Sequence, residues 1–246
     1  MSAALARWAS PELRASIFHF MVFGSGAVAS VYLGIWLSQK GIHPDQIGLI
    51  SALPVFGLLL LNLYIGRLAD RAGDWRTVIV ILSLLGAAFP IGLFFVDEFW
   101  GILLVWAFCT MSAGAIPPVI DAATVRLTQR NGTDFGAVRA WGTVGYVVAA
   151  AGTGLVITAF GAQGFVPLFF ALSLLRALVA LQLPRFRAPA PVATLADVPA
   201  RPGAAKLRDV LQPWFILPLL GFALVNVSHG VMGTFSALLW HNDGVP

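Results

Sequence analysis

Long apolar runs separated by short polar connections dominate this chain. Seven runs stand out, at 17–37, 47–65, 78–95, 102–125, 139–159, 165–183 and 214–240. Each is near the roughly 20 apolar residues that a helix needs to cross a bilayer. None shows the ten-residue alternation of a membrane β-barrel strand. In lipid the backbone must satisfy its own N–H and C=O groups, and a helix does this within itself. The pattern therefore predicts an all-α membrane protein with seven spans.

The connections sort into two sets. "KGIHPDQ", "DEFW" and "GAQG" fall on one side, and "GRLADRAGDWR" and "RLTQRNGTDFGAV" on the other. A longer stretch rich in Pro, Ala and charge reads as a flexible linker. The predicted organisation is a six-helix bundle over 1–183, a cytoplasmic linker over 184–213, and over 214–246 the first helix of an incomplete C-terminal bundle. Composition agrees: 59% of residues are hydrophobic and 11% charged, against about 25% charged in a soluble domain.

Charge adds direction. With the N-terminus inside, every Lys and Arg except Lys40 and Arg176 lies in an inner segment. That is the positive-inside bias. It accounts for a pI of 9.8 without nucleic acid as a partner. The expected location is the inner (plasma) membrane, multi-pass, with a cytoplasmic N-terminus. The first run begins late, is long and is closed by no small-residue cleavage site, so it reads as retained. The single cysteine, Cys109, excludes an internal disulfide and suits a buried apolar role. No His/Cys cluster points to a metal, and no cofactor is implied. Asn131-Gly132-Thr133 reads as a turn.

Two charges interrupt the apolar pattern. Asp121 stands in "IPPVIDAATV" and Arg139 in "FGAVRAWGTVGY", each nine residues from Arg130 at the centre of the intervening loop. At 1.5 Å per residue both lie within about 13 Å of the turn, at matched depth on antiparallel helices. Opposite charges at one depth relieve each other's cost in lipid. One reading is a structural ion pair or a snorkelling couple. The other is a substrate or coupling site on a wet cavity. Arg offers a rigid fork of donors, and Asp can accept hydroxyls or a cation, or carry a proton.

Other positions are less specific. His229, near the middle of the last run, suits either a hydrogen bond across helices or proton coupling. His19 is expected at the interface, Arg176 snorkelling inward, and Trp36 and Trp240 in aromatic belts. Tyr32 and Tyr146 fit a cavity wall or a packed core. Gly142, Gly145, Ala149 and Gly152 give one smooth helix face for packing or sliding. Pro54, Pro90, Pro117, Pro118 and Pro218 are expected to kink or interrupt their spans.

The stretch "GRLADRAGDWR" is by itself a basic turn. With Gly66, Leu68, Asp70, Arg71 and Gly73 it resembles the loop between helices two and three of the major facilitator superfamily. Asp74 and Trp75 stand where that family usually has two basic residues. The resemblance implies twelve spans in two halves, and a conformational latch formed by Gly66, Asp70, Arg71 and Gly73. "GAIPPVIDAA" followed by "FGAVRAWGTVGY" is similar to proton symporters of the lactose permease and phenylpropionate permease type. "NVSHGVMGTFSALLW" is similar to the latter group. This implies that Asp121 and Arg139 contact solute and that Tyr146 stacks on it. No proline follows Gly152 or Gly154, so the signature of drug/proton antiporters is missing.

The combined expectation is no enzyme but proton-coupled uptake of a small organic solute, an aromatic acid or a sugar, by alternating access. His229 is the coupling candidate. The partners would be the solute, protons, the bilayer, and a missing C-terminal half or second chain. A seven-helix receptor or sensor is the alternative by span count. The inward N-terminus and the lack of Lys in the last run oppose it. A membrane scaffold without transport and an inactive transporter fragment remain open.

Overall fold

Ser10 starts the first helix. In the computed structural model, which describes residues 10–187 and 212–242, the Ser10 hydroxyl accepts a hydrogen bond from Leu13 N–H at 3.2 Å. Pro11 fills the first helical position, where no N–H is needed. This helix, α1, runs Pro11–Gln39. Beyond it Gly41 takes a left-handed φ of 77°, which a residue without Cβ adopts at little cost. α2 (Pro44–Arg71) again begins on a proline, and the Gln46 side chain accepts from His43 N–H at 3.3 Å. Asp74 caps α3 (Trp75–Ala88) by accepting from Arg76 N–H at 2.9 Å.

Proline then decides two irregularities. α3 tightens into a 3-10 segment, Phe89–Phe94, that contains Pro90. The fourth apolar run splits into α4 (Phe99–Gly114) and α5 (Ile116–Asn131) at Ala115, just before Pro117 and Pro118. Proline supplies no N–H to the helical ladder and crowds the preceding turn. Gly132, at φ 67°, ends α5, so Asn131-Gly132 is a turn as expected. Asp134 caps α6 (Phe135–Phe160) through Gly136 N–H at 2.8 Å. α7 (Phe165–Ala180) and α8 (Pro213–Asn242) complete the order.

Counting α3 with its 3-10 extension and α4 with α5 as single crossings, six helical stretches among the described residues are long and apolar enough to span a bilayer. The chain is a multi-pass membrane protein. Most of the expected linker, 188–211, lies outside the described residues.

α1 is the hub. It packs along α6 and α7, and α8 rests against it; α2 packs on α4, and α3 on α7, α4 and α5. The α1–α6 contact depends on small residues. A Cβ on Gly24 would meet Gly145 O at 3.3 Å, and one on Gly145 would overlap the Phe20 backbone. Gly152 has open space around it, so only part of the smooth face is used for packing.

Two apolar clusters form the core. One, toward the α2–α3 turn, includes Phe18, Val22, Ile79, Ile120, Leu127 and Ala180. The other, toward the α1–α2 turn, includes Leu37, Ile47, Ile102, Trp106, Phe165 and Phe169. On four helices a buried polar residue falls where one cluster gives way to the other: Ser25 on α1, Ser83 on α3, Ser112 on α4, and Ser173 and Arg176 on α7.

Three expectations from the sequence are corrected here. Arg176 does not snorkel; it is only 2% exposed. α7 turns it into the bundle on the same stripe as Phe169, Ser173 and Ala177. His19 is fully buried rather than interfacial, because α1 is covered by neighbours on several sides. Trp36 is also buried, its ring 5.4 Å from that of Phe165, so it belongs to the core and not to a belt. The Trp240 side chain lies outside the described residues.

Candidate functional site

α5 and α6 are antiparallel across the Gly132 turn, and this brings Asp121 and Arg139 together. Arg139 Nε lies 3.1 Å from Asp121 Oδ1. The vector is not aligned as a hydrogen bond, since Oδ1 has no bonded partner, so the contact is an ion pair. The two side chains are 29% and 37% exposed, neither sealed nor free in solvent. The Arg139 guanidinium also sits 3.9 Å over the Phe23 ring, a cation–π contact.

α1 adds a third group that sequence reasoning had set aside. His19 Nδ1 is 3.8 Å from Asp121 Oδ1, and His19 Nε2 is 3.1 Å from Thr124 Oγ1. Its ring stacks on Phe23 at 6.5 Å. The signal was present: Ala15, His19 and Val22 recur at helical spacing, which places His19 on the buried stripe of α1.

Beside this cluster is a cavity of about 460 Å³ between α1, α2, α4, α5, α6 and α7. Phe23, Trp106, Phe169 and Tyr146 give it aromatic walls, and Arg176 contributes its charge. The Tyr146 hydroxyl is 3.0 Å from Ser30 Oγ. Asp121 and Arg139 do not line the cavity; Phe23 does, and its ring lies under the Arg139 guanidinium. Tyr32 is not on its wall either. α8 carries His229, whose side chain lies outside the described residues.

The α2–α3 turn is a separate cluster at one end of the bundle. The Asp74 carboxylate accepts from Arg76 N–H and also from Phe186 N–H at 3.1 Å and Arg187 N–H at 3.3 Å. Arg187 in turn donates to the carbonyls of Ala69 and Asp70, at 3.3 and 2.7 Å. Arg126 and Arg187 lie 5.0 and 5.4 Å from the Trp75 ring. Asp70 and Arg71 are exposed, and the Asp70 carboxylate forms no ion pair among the described residues. Neither Gly66 nor Gly73 takes a left-handed φ; Gly66 lies inside α2. Asp74, which departs from the resembled pattern, makes the bonds that hold this turn.

Asp74→Ala is therefore expected to loosen the turn and the segment after α7. Losing an N-cap side chain costs about 0.5–2 kcal/mol. Hydrogen exchange should quicken at the amides of Arg76, Phe186 and Arg187, whereas Asp70→Ala should leave them near the wild-type rate.

The bundle of a multi-pass membrane protein here encloses buried ionic groups and an aromatic-walled cavity. The MFS_1 like family matches residues 13–245, and the chain belongs to it and so to the major facilitator superfamily. It is 28% identical over 148 residues to a "Probable 3-phenylpropionic acid transporter" of Escherichia coli (strain K12), covering 58% of this chain and 38% of that protein. It is 25% identical over 218 residues to a "Maltose permease" of Geobacillus stearothermophilus, covering 87% of this chain and 54% of that one. The fold matches the crystal structure of the nucleoside transporter NupG at a TM-score of 0.65 and 20% identity, over 72% of this chain and 44% of that chain. A D323A mutant of NupG matches at 0.67, over 92% and 57%. The chain thus covers about half, or less, of each relative's length.

Proposed function

We propose that this chain forms the solute-binding half of a carrier that takes up a small organic solute together with protons. The observation that carries the reading is the Arg139–Asp121–His19 cluster beside an aromatic-walled cavity, in a chain of a transporter family. In this reading Arg139 holds polar groups of the solute and Asp121 orients or balances it. Tyr146 packs on the solute ring from the cavity wall. Asp121 shares one oxygen between a guanidinium and an imidazole, which suits a group that exchanges a proton with its neighbours. His229 is kept as a second coupling candidate on α8.

The bundle over 1–183 would rock against a second bundle that begins with α8, joined by the linker over 184–213. That second bundle, in the same reading frame or on another chain, would close the other side of the site. The turn with Gly66, Asp70, Arg71 and Gly73 is proposed as the latch between states. It acts through the bonds that Asp74 and Arg187 make there. The basic residues near this turn and near Arg130 support a cytoplasmic side for it, with the inner membrane as the proposed location. The names of the relatives suggest an aromatic acid or a sugar as the solute.

The test is uptake into vesicles reconstituted with the full-length gene product. An inward proton gradient should accelerate accumulation of an accepted solute several-fold, and a protonophore should abolish that gain. Uptake indifferent to the gradient would remove the coupling. No uptake of aromatic acids, sugars or nucleosides would remove the carrier reading.

A further inference from the structure

The geometry points to Arg176 as the receptor for a carboxylate, so that the cavity takes an aromatic monocarboxylate rather than a sugar. The inference rests on the carrier reading above and deepens it.

The argument begins with an unmatched charge. Arg176 is 2% exposed and lines the cavity. Arginine stays protonated in proteins. Among the described residues no Asp or Glu lies within ion-pair distance of it. Only one of its nitrogens is engaged: Nη1 donates to Ser25 Oγ at 2.9 Å. Ser25 spends its own proton on Val22 O at 3.0 Å, which leaves its lone pair for the guanidinium and fixes how that group sits. Arg176 Nε and Nη2 are buried with no acceptor. A buried cation with idle donors is costly unless an anion joins it. Arg139 differs, because Asp121 already neutralises it and it stands outside the cavity wall.

The fold makes room for this placement. Nη2 lies against Gly86 on α3, where a Cβ would approach it to 2.5 Å. Any larger residue would push the guanidinium away from its seat. Glycine at this point is a positioning device for the charge.

The rest of the wall selects the body of the ligand. Phe23 and Phe169 are apolar, Trp106 adds a single indole N–H, and Tyr146 has its hydroxyl committed to Ser30. Few free donors or acceptors remain, among them Ser51, whose hydroxyl is unpartnered. A polyhydroxylated ligand would bury hydroxyls without partners, which costs it affinity. A flat apolar ring with one anionic end suits this wall best: ring to aromatics, carboxylate toward the guanidinium charge that lines the cavity. A cation would face Arg176 with no carboxylate on the wall to receive it. The volume of about 460 Å³ falls within the range for one small organic molecule.

The experiment uses the full-length gene product in lipid nanodiscs near neutral pH and three probes of similar shape. Phenylacetate carries the anion, phenylacetamide is neutral and phenethylamine is cationic. Calorimetry should find phenylacetate bound about ten-fold or more tightly than the amide, with the amine the weakest. Arg176→Gln should bring phenylacetate down to the level of the amide, and residual binding of both probes reports an intact cavity. Should that variant misfold, Arg176→Lys carries the test: the preference should persist but shrink. Gly86→Ala should likewise shrink it while the charge is retained. Equal affinity for acid and amide in the wild type overturns the inference. So does a preference that survives Arg176→Gln, or binding of none of the three. Proton-driven uptake of a neutral solute without any acid preference sinks the anion site and leaves the carrier standing. Acid binding without uptake of any solute does the reverse.

Discussion

Arg139→Ala is expected to abolish solute uptake while leaving membrane insertion intact. The guanidinium pairs with Asp121 at 3.1 Å and covers Phe23 at 3.9 Å. Truncation removes both contacts and leaves Asp121 facing only His19. If the guanidinium also holds the solute, one charge-assisted contact is lost as well. That is worth about 1.5–3 kcal/mol, or one to two orders of magnitude in affinity. Insertion should survive, because α6 becomes more apolar without the charge. Uptake in vesicles and a topology reporter at each end of α6 would check the two halves of the expectation. Arg139→Lys should rescue little, since an ammonium cannot reproduce a planar fork that also stacks on an aromatic ring. Normal uptake by the alanine variant would reduce the pair to a structural role. The position of the pair just outside the cavity wall makes that outcome informative.

The second large effect is structural. Gly145→Val is expected to separate α1 from α6. A Cβ at this position already overlaps the backbone of Phe20, and backbone cannot swing aside as a flexible side chain can. Overpacking of a close contact costs about 1–3 kcal/mol, occasionally more. Here the strain also reaches the site, because α1 carries His19 and Phe23 within one turn of the contact. The variant should melt at lower temperature in detergent and lose its uniform size-exclusion peak. Gly152→Ala is the control: no atom lies within 4 Å of its added Cβ, so its melting should match the wild type. Equal melting of the valine variant would show that α1 and α6 are not held together through this glycine.

Both effects pass through α1, and that dependence was not visible in the linear chain. α1 presents His19 to Asp121, Phe23 to Arg139 and Ser25 to Arg176. Each is an ordinary residue on an apolar helix until a neighbour defines its role. A second tie holds the opposite end of α1, where Lys40 pairs with Asp97 and lies 5.5 Å from the Trp36 ring.

What the amino-acid sequence determined by itself is the architecture. Apolar runs of membrane length permit only helices, since lipid offers no partner for a free backbone group. Prolines at 90, 117 and 118 marked where crossings tighten or break, because a missing N–H weakens the ladder, whereas α2 and α8 run on through Pro54 and Pro218. Asp121 and Arg139 could be paired from spacing alone, because a short turn forces antiparallel helices into register. Tertiary structure alone decided which polar side chains face inward. A buried stripe and a lipid-facing stripe are equally apolar, so in a membrane helix the hydrophobic pattern does not separate them. His19 and Trp36 therefore read as interfacial and Arg176 as snorkelling, until the packing of α1 and α7 enclosed all three. The bonds of Asp74 to Phe186 and Arg187 join residues more than a hundred positions apart, and only the folded bundle brings those ends together.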